Sequence, residues 1–445
     1  MARTLTRTSQ ATSPRPKTKA VAKAAAKAAA SPQPAGKTPS AAEAIRAAVV
    51  SRRAADRLRA GHPWVYASDV IEIRGGENSD ALPGLIPVSD QRGILLGTAL
   101  YSPSSQIALR LISRNLLAAD TEWLSLIEAR LRRALALRST MQTEACRLVF
   151  SEADELPGLI IDRYGALLLV QVLARGLDRP EVRDLVTRVL VEELAPETVV
   201  ERGDARIAAL EGLETPALAT LYAKHKTKPA LETTFLLNGL RFAYDAAAGQ
   251  KTGAFLDQRL NYAAAAEHAR GEALDVCTYQ GGFALHMARR CTRVTGVDAS
   301  RSALEVAERN LEANRSQLVA EVDWIEADAF ELLRAWSDAG TQFDSIVLDP
   351  PAFAKSKRAV EGALRGYKEL NLRALKMLRP GGVLVTCSCS HHISNADFTA
   401  TVAAAAGDAG RRVRLMERRG AAPDHPVILT IPETEYLKCL ICHVD

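Results

Sequence analysis

Apolar positions change their period several times along this chain. Over residues 46–118 they come in short runs, VVSR, WVYASDVIEI, LIPVS, GILLGTALY and IALRLIS, separated by Gly, Pro, Ser and Asp. That spacing predicts a small, mostly β domain. Across 119–140 the apolar positions of WLSLIEARLRRALAL fall three and four apart, which predicts a helix. Residues 148–173, LVFSEADELPGLIIDRYGALLLVQVL, read as strands around turns, with Asp162-Arg163-Tyr164-Gly165 as a hairpin tip. Mixed α/β character continues through 180–245.

After residue 270 the pattern becomes regular. EALDVCT, TRVTGVD, EVDWIEAD, FDSIVLD and GGVLVTCS are short β-rich runs. FALHMARR, SALEVAERNLEAN, FELLRAW and GYKELNLRALKML lie between them with helical spacing. Strands alternating with helices require right-handed crossovers and a parallel sheet covered on both faces. RRVRLMERR and EYLKCLICHV close the chain as two further strands, a hairpin at the sheet edge with one strand antiparallel. The fold class is α/β, a Rossmann-like sheet preceded by a β-rich domain.

Length and composition narrow the class. At 445 residues the chain exceeds one ordinary domain, so two or three are expected. Hydrophobic residues make up 47% and charged residues 24%, the balance of a soluble globular protein. No run of about eighteen strongly apolar residues appears, which argues against an integral membrane protein. Seven scattered cysteines with no secretory signal ahead of them point to a reducing cytoplasm rather than a disulfide scaffold.

The net charge of +5 is unevenly distributed. Residues 1–40 hold eight basic residues (Arg3, Arg7, Arg15, Lys17, Lys19, Lys23, Lys27, Lys37) and no acid, leaving −3 on the other 405. This Ala-, Lys- and Pro-rich tail, to about residue 45, has almost nothing to bury and is expected to be disordered. Its lysines and arginines suit either simple solvation or non-specific contact with phosphate backbones. An organelle transit peptide would also lack acids, but the repeated prolines fit an amphipathic helix poorly.

In an open α/β sheet the ligand sits beyond the carboxyl ends of the strands. The first strand carries Asp275 and runs into Cys277-Thr278-Tyr279-Gln280-Gly281-Gly282-Phe283. Glycines there let the backbone approach a ligand before the next helix begins. The second strand ends at Asp298, suited to the two hydroxyls of a ribose. The third ends at Asp328, the fourth in Asp349-Pro350-Pro351-Ala352-Phe353 and the fifth in Thr386-Cys387-Ser388-Cys389-Ser390. Any one of these is unspecific, since an Asp after a strand is often a helix cap. Five in order are hard to explain as independent caps.

The nucleotide follows from what is missing. A dinucleotide fold wants G-x-G-x-x-G, and here the stretch is CTYQGGF. No G-x-x-x-x-G-K-[ST] loop is present either. A ligand with ribose and adenine but no phosphate is favoured, and S-adenosylmethionine is such a ligand.

The stretches HPWVYASDV (62–70), YSPSSQIALR (101–110), ELPGLIIDRYG (155–165), KTGAFLDQR (251–259), YQGGFAL (279–285), FDSIVLDPPAF (343–353), RGYKELN (365–371), SCS (388–390) and DHPV (424–427) carry a resemblance. The chain resembles the bacterial large-subunit ribosomal RNA methyltransferase I family, 23S rRNA (cytosine-5)-methyltransferases with an N-terminal PUA domain. The likeness covers nearly all of 46–445. It implies a PUA-like RNA-binding barrel at 46–118, a central α/β domain at 119–245 and a class I methyltransferase domain at 246–445. It implies S-adenosylmethionine as cofactor and 23S ribosomal RNA as partner, with no metal and no membrane, and leaves a homodimer open.

The resemblance also implies roles. Phe255, Asp257, Gln258 and Arg259 would border the methionine end of the cofactor, Arg259 pairing with its carboxylate. Gly281 and Gly282, flanked by Tyr279 and Phe283 and preceded by Asp275, would line its central portion. Asp298 would take the ribose hydroxyls and Asp328 the adenine amine. Cys389 would be the nucleophile, because carbon 5 of cytosine attacks a methyl group only after a thiolate has added to carbon 6. Asp349 would hydrogen-bond the base near its ring nitrogen and amine, and the target must leave its stack to enter. Cys387, two residues earlier, reads as packed core and becomes the nucleophile only if the register is shifted. Many RNA cytosine-5 enzymes carry a second cysteine where Pro351 stands, so release here needs another, unnamed base.

Other signals are set aside. Cys439-Leu440-Ile441-Cys442-His443 spells a haem-attachment motif, but haem of that type needs export. Cys387, Cys389, His391 and His392 have poor spacing for zinc. His425 in DHPV has two readings, a role near the target base and part of a His-Pro turn, and the turn is preferred. Three functions compete with the cytosine reading. They are guanine methylation, which has no need of Cys389, a nucleotide-dependent oxidoreductase, disfavoured by the missing glycine fingerprint, and a catalytically silent RNA-binding protein.

Overall fold

The computed structural model describes residues 47–74, 84–117, 120–214, 217–225, 229–247 and 254–445. The basic tail and the Lys251–Gly253 part of KTGAFLDQR lie outside the described residues.

Residues Ala47–Ser113 build a six-stranded sheet with one helix, Arg52–Arg59. Ser51 caps that helix, its hydroxyl accepting from the Ala54 amide at 3.2 Å. The helix Asp120–Ser139 follows, where the three- and four-residue spacing places it. A five-stranded sheet spans Ala145–Ala223. Its strands Leu159–Tyr164 and Leu167–Val172 pair antiparallel around Gly165–Ala166. The expected hairpin is therefore present with its tip displaced: Asp162 and Arg163 lie within the strand. Arg110 joins the first sheet to the central region through a buried ion pair with Glu211 (2.7 Å), at the end of the helix Ala205–Glu211, and Trp64 donates its indole N–H to Glu152 (2.8 Å).

The last sheet positions the site. Its strands are β1 (Glu272–Val276), β2 (Arg293–Asp298), β3 (Glu321–Glu326), β4 (Phe343–Leu348), β5 (Leu378–Ser388), β6 (Val413–Arg419) and β7 (Lys438–Val444). They lie in the order β3-β2-β1-β4-β5-β7-β6. β1 to β5 are parallel, and β7 enters antiparallel between β5 and the edge strand β6.

Alternate residues feed two cores, as the period of a strand buried on both faces demands. Leu274, Val276, Ile346, Leu348, Leu384 and Leu440 face the helices Ala329–Asp338, Val360–Met377 and Asn395–Asp408. Ala273, Val347, Val385, Cys387, Cys439 and Ile441 face the other way. That second core also takes Tyr164 and Leu167 of the central sheet and Phe235, Phe242 and Tyr244 of the hairpin Glu232–Asp245, so the central region packs directly onto the sheet. Cys439 and Cys442 of the haem-like motif are buried strand residues in opposite cores. Among the described residues no helix is long and apolar enough to cross a membrane.

Candidate active site

Because β1, β2, β4 and β5 run parallel, their carboxyl ends open on one side, where a cleft of about 790 Å³ lies. Tyr279, Asp298, Asp328, Asp349 and Cys389 all line it, as do Phe255, Asp257 and Gln258 from the segment before β1.

The turn after β1 is held open from below. Asp275 is fully buried; its Oδ2 accepts from the Thr278 hydroxyl (2.6 Å) and the Ala284 amide (2.8 Å). Burial pushes its carboxyl up to about 7, against those two hydrogen bonds. Cys277 and Tyr279 both adopt left-handed backbone (φ 64° and 52°), strain of the kind found at ligand sites. The Tyr279 amide donates to Asp298 Oδ2 and the Ser300 amide to Oδ1, both at 2.9 Å. Asp298 thus orders the turn and still keeps a lone pair on each oxygen.

The two glycines make room for close packing. A Cβ on Gly281 would come 2.9 Å from Trp324 Cη2, and one on Gly282 2.6 Å from Tyr262 Cζ. Gly281 also sits at φ 84°. Their small size is demanded by close packing of the turn; Gly282 also lines a small pocket that shares Phe255, Tyr279 and Asp349 with the cleft. Phe283 is buried edge-on against Tyr262, 4.7 Å between centroids. Asp328 is exposed and caps the helix Ala329–Asp338 through Oδ1, accepting from Phe330 (2.9 Å) and Glu331 (3.0 Å).

Arg259 is placed differently from the expectation. It is buried away from the cleft wall, and its Nη2 donates to Asp424 Oδ1 at 3.2 Å. Asp424 is fully buried and also accepts from the Arg147 amide (2.8 Å). Desolvation would raise its carboxyl, but His425, the Arg147 amide and Arg259 outweigh that and bring it down to about 2. Asp424 is therefore the anion that Arg259 serves. Gln258 turns its amide N–H to Asp349 Oδ1 (3.0 Å), and Asp257 accepts from the Tyr436 hydroxyl (2.6 Å). Phe255 stands edge-on to Tyr279 at 5.1 Å.

The two cysteines of the fifth strand separate cleanly. Cys387 is fully buried opposite Cys439, and burial drives its thiol well up. Cys389 lies just past the strand end, on the cleft wall. Ser390 fixes that loop: its hydroxyl accepts from the Ala354 amide (3.2 Å) and meets the Tyr367 hydroxyl at 3.0 Å. The DPPAF and SCS loops are thereby tied to each other.

Two cleft residues, Arg147 and Tyr436, escaped the sequence reading, and two more, His391 and His425, were weighed there and set aside. Arg147, clamped by Asp162 at 2.8 and 2.9 Å, enters from the central sheet. Tyr436 enters from the loop before β7, and His391 stacks on it at 5.2 Å. His425, read as a turn residue, is buried against Phe150 and lines the cleft, its Nδ1 3.6 Å from Asp424. The available signal for Arg147 was the IIDR strand, whose acid had to bury beside a partner.

Comparison with known proteins places this geometry. Residues 154–440 match the S-adenosylmethionine-dependent methyltransferase family and residues 49–114 a PUA-like domain. Ribosomal RNA large subunit methyltransferase I of Pseudoalteromonas translucida is 38% identical over 395 residues, 87% of this chain and 96% of that protein. The same-named protein of Shewanella frigidimarina is 37% identical over 393 residues, 87% of this chain and 96% of that protein. A solved SAM-dependent methyltransferase from Streptococcus mutans shares the fold at TM-score 0.72 and 20% identity, covering 89% of this chain and 99% of that one. The protein belongs to the ribosomal RNA large subunit methyltransferase I family and is an S-adenosylmethionine-dependent rRNA methyltransferase.

Proposed function

We propose that this enzyme methylates carbon 5 of a cytosine in 23S rRNA, with Cys389 as covalent nucleophile. The observation that carries the reading is the position of Cys389: it shares one cleft with Asp298, Asp328 and Asp349, whereas Cys387 is sealed in the core. A methyltransferase acting on a guanine has no use for a thiol there.

The cleft fits the cofactor. Its volume lies in the range of small-molecule sites, and Asp298 and Asp328 each retain acceptor capacity for ribose hydroxyls and an adenine amine. Phe255 and Tyr279 supply an apolar wall. S-adenosylmethionine, when bound, supplies an electrophilic methyl group.

The chain's own residues do the rest. The Cys389 thiolate adds to carbon 6 of the extruded base, and the electron pair moves toward carbon 5. Asp349, oriented by Gln258, accepts from the exocyclic amine and fixes the ring. Carbon 5 takes the methyl group. Its proton then leaves to His425, whose ring lines the cleft beside the buried Asp424 carboxylate. The carbon 6–sulfur bond breaks and the thiolate returns.

The test is Cys389→Ala with base analysis of 23S rRNA. Loss of 5-methylcytosine with S-adenosylmethionine affinity retained supports the reading. Full activity, or a product methylated on guanine, overturns it.

A further inference from the structure

β7 begins with a charged residue in a strand that is otherwise apolar, KCLICHV, and buries it. Lys438 is 1% exposed. The β5–β7 register sets it opposite Ser388, one residue before Cys389. Its Nζ donates to the Ser390 carbonyl (2.6 Å) and to the Tyr436 carbonyl (2.7 Å). Both acceptors are neutral. Among the described residues no carboxylate lies within ion-pair distance of this amine. A buried ammonium without a counter-anion is strongly disfavoured.

Cys389 lies between the two residues that Lys438 meets, Ser388 across the sheet register and Ser390 through its carbonyl. Burial brings the Lys438 amine down to about 8, and negative charge on Cys389 or Glu435 acts against that. The other titratable groups around the pair are Tyr367, Tyr436 and His391. Both hydroxyls are pushed up, first by burial, and stay neutral. His391 is pushed down, first by desolvation, and stays neutral at pH 7.

We propose that Lys438 is the counter-charge of the Cys389 thiolate, holding the nucleophile loop through the Ser390 carbonyl and keeping the sulfur ionised for attack. The thiol proton leaves to solvent; Lys438 does not touch the substrate and is a positioning residue. The inference rests on the reading of Cys389 as nucleophile and says what activates it.

The experiment is the pH dependence of Cys389 alkylation by iodoacetamide in the whole protein, read peptide by peptide. The other cysteines interfere little: burial pushes Cys146, Cys291 and Cys442 up to about 12, 11 and 12, raises Cys277 and Cys387 strongly, and leaves Cys439 fully enclosed. In the native protein Cys389 should be half-reactive at least about one pH unit below an ordinary thiol, near 8.5. Lys438→Met should move that midpoint up and slow alkylation at pH 7 roughly tenfold, while Lys438→Arg should restore it. A native midpoint at or above that of an ordinary thiol overturns the proposal without any variant, as does an unchanged profile in Lys438→Met. Methyl transfer by Cys389→Ala is a separate readout: activity there would remove the nucleophile reading and leave the alkylation result standing.

Discussion

Gln258 donates to Asp349 at 3.0 Å, while its own carbonyl accepts from Asn261 at 2.6 Å. One amide therefore couples the segment before β1 to the loop after β4, across the sheet. Asp349 cannot reorient without breaking a nearly buried chain of hydrogen bonds. Gln258→Ala frees the carboxylate by rotation rather than removal. Activity should fall about 10- to 100-fold, because small displacements of a positioning group cost that much. Steady-state kinetics check this. The loss should appear mainly in kcat, with the cofactor's Kd nearly unchanged.

The pair Cys387 and Cys389 allows a contrast across the end of β5. Cys387→Ala removes a buried sulfur packed against β7 and should cost about 1 kcal/mol of stability while methyl transfer persists. Cys389→Ala touches no core and should leave the urea midpoint alone while abolishing transfer. Parallel unfolding and methylation assays decide it. The reverse outcome would mean that Cys387 reaches substrate from a different register.

Two carboxyls give opposite pH dependences. Asp424 titrates at about 2 in the folded protein, below its unfolded value of 3.8. Its contribution, about 2 kcal/mol at one-pKa-unit exchange rates, is present above pH 4 and disappears as pH falls toward 2. Asp275 titrates at about 7, above 3.8. It favours folding below pH 4 and loses that contribution as pH rises through 7. Urea unfolding of Asp275→Asn between pH 5 and 8 should therefore show a flatter decline than the native protein, and Asp424→Asn a flatter decline between pH 4 and 2.

How much of this was legible beforehand depends on distance along the chain. Each sheet strand and its terminal residue could be read locally, because a strand buried on both faces announces itself as a short apolar run and its end as the first acid or glycine beyond it. Asp298 and Asp349 were found in this way, whereas Cys389 was singled out from Cys387 only by the family resemblance; all three line the cleft. Arg259 was not placed, because its partner Asp424 stands 165 residues away and competes with any ligand carboxylate. Gly281 and Gly282 read as ligand-facing, yet the side chains that forbid a Cβ belong to Trp324 and Tyr262. Lys438 became visible only through β-sheet register, which no local pattern encodes. Its one sequence signal was a charge at an inward position of a buried strand.

His425 bears on the last chemical step. It is 3% exposed, lines the cleft and sits with Nδ1 3.6 Å from the buried Asp424 carboxylate. A base in that role acts after the carbon–sulfur bond has formed, so its removal should stall the enzyme with RNA attached rather than prevent attack. His425→Asn should accumulate a protein–RNA adduct that survives denaturing electrophoresis, and the adduct should vanish in the Cys389→Ala, His425→Asn double variant. Turnover should drop about 100-fold or more, the lower end of the range for loss of a general base. Normal turnover, or lost turnover with no adduct, would assign proton removal to a different group, with His391 the other imidazole on the same wall.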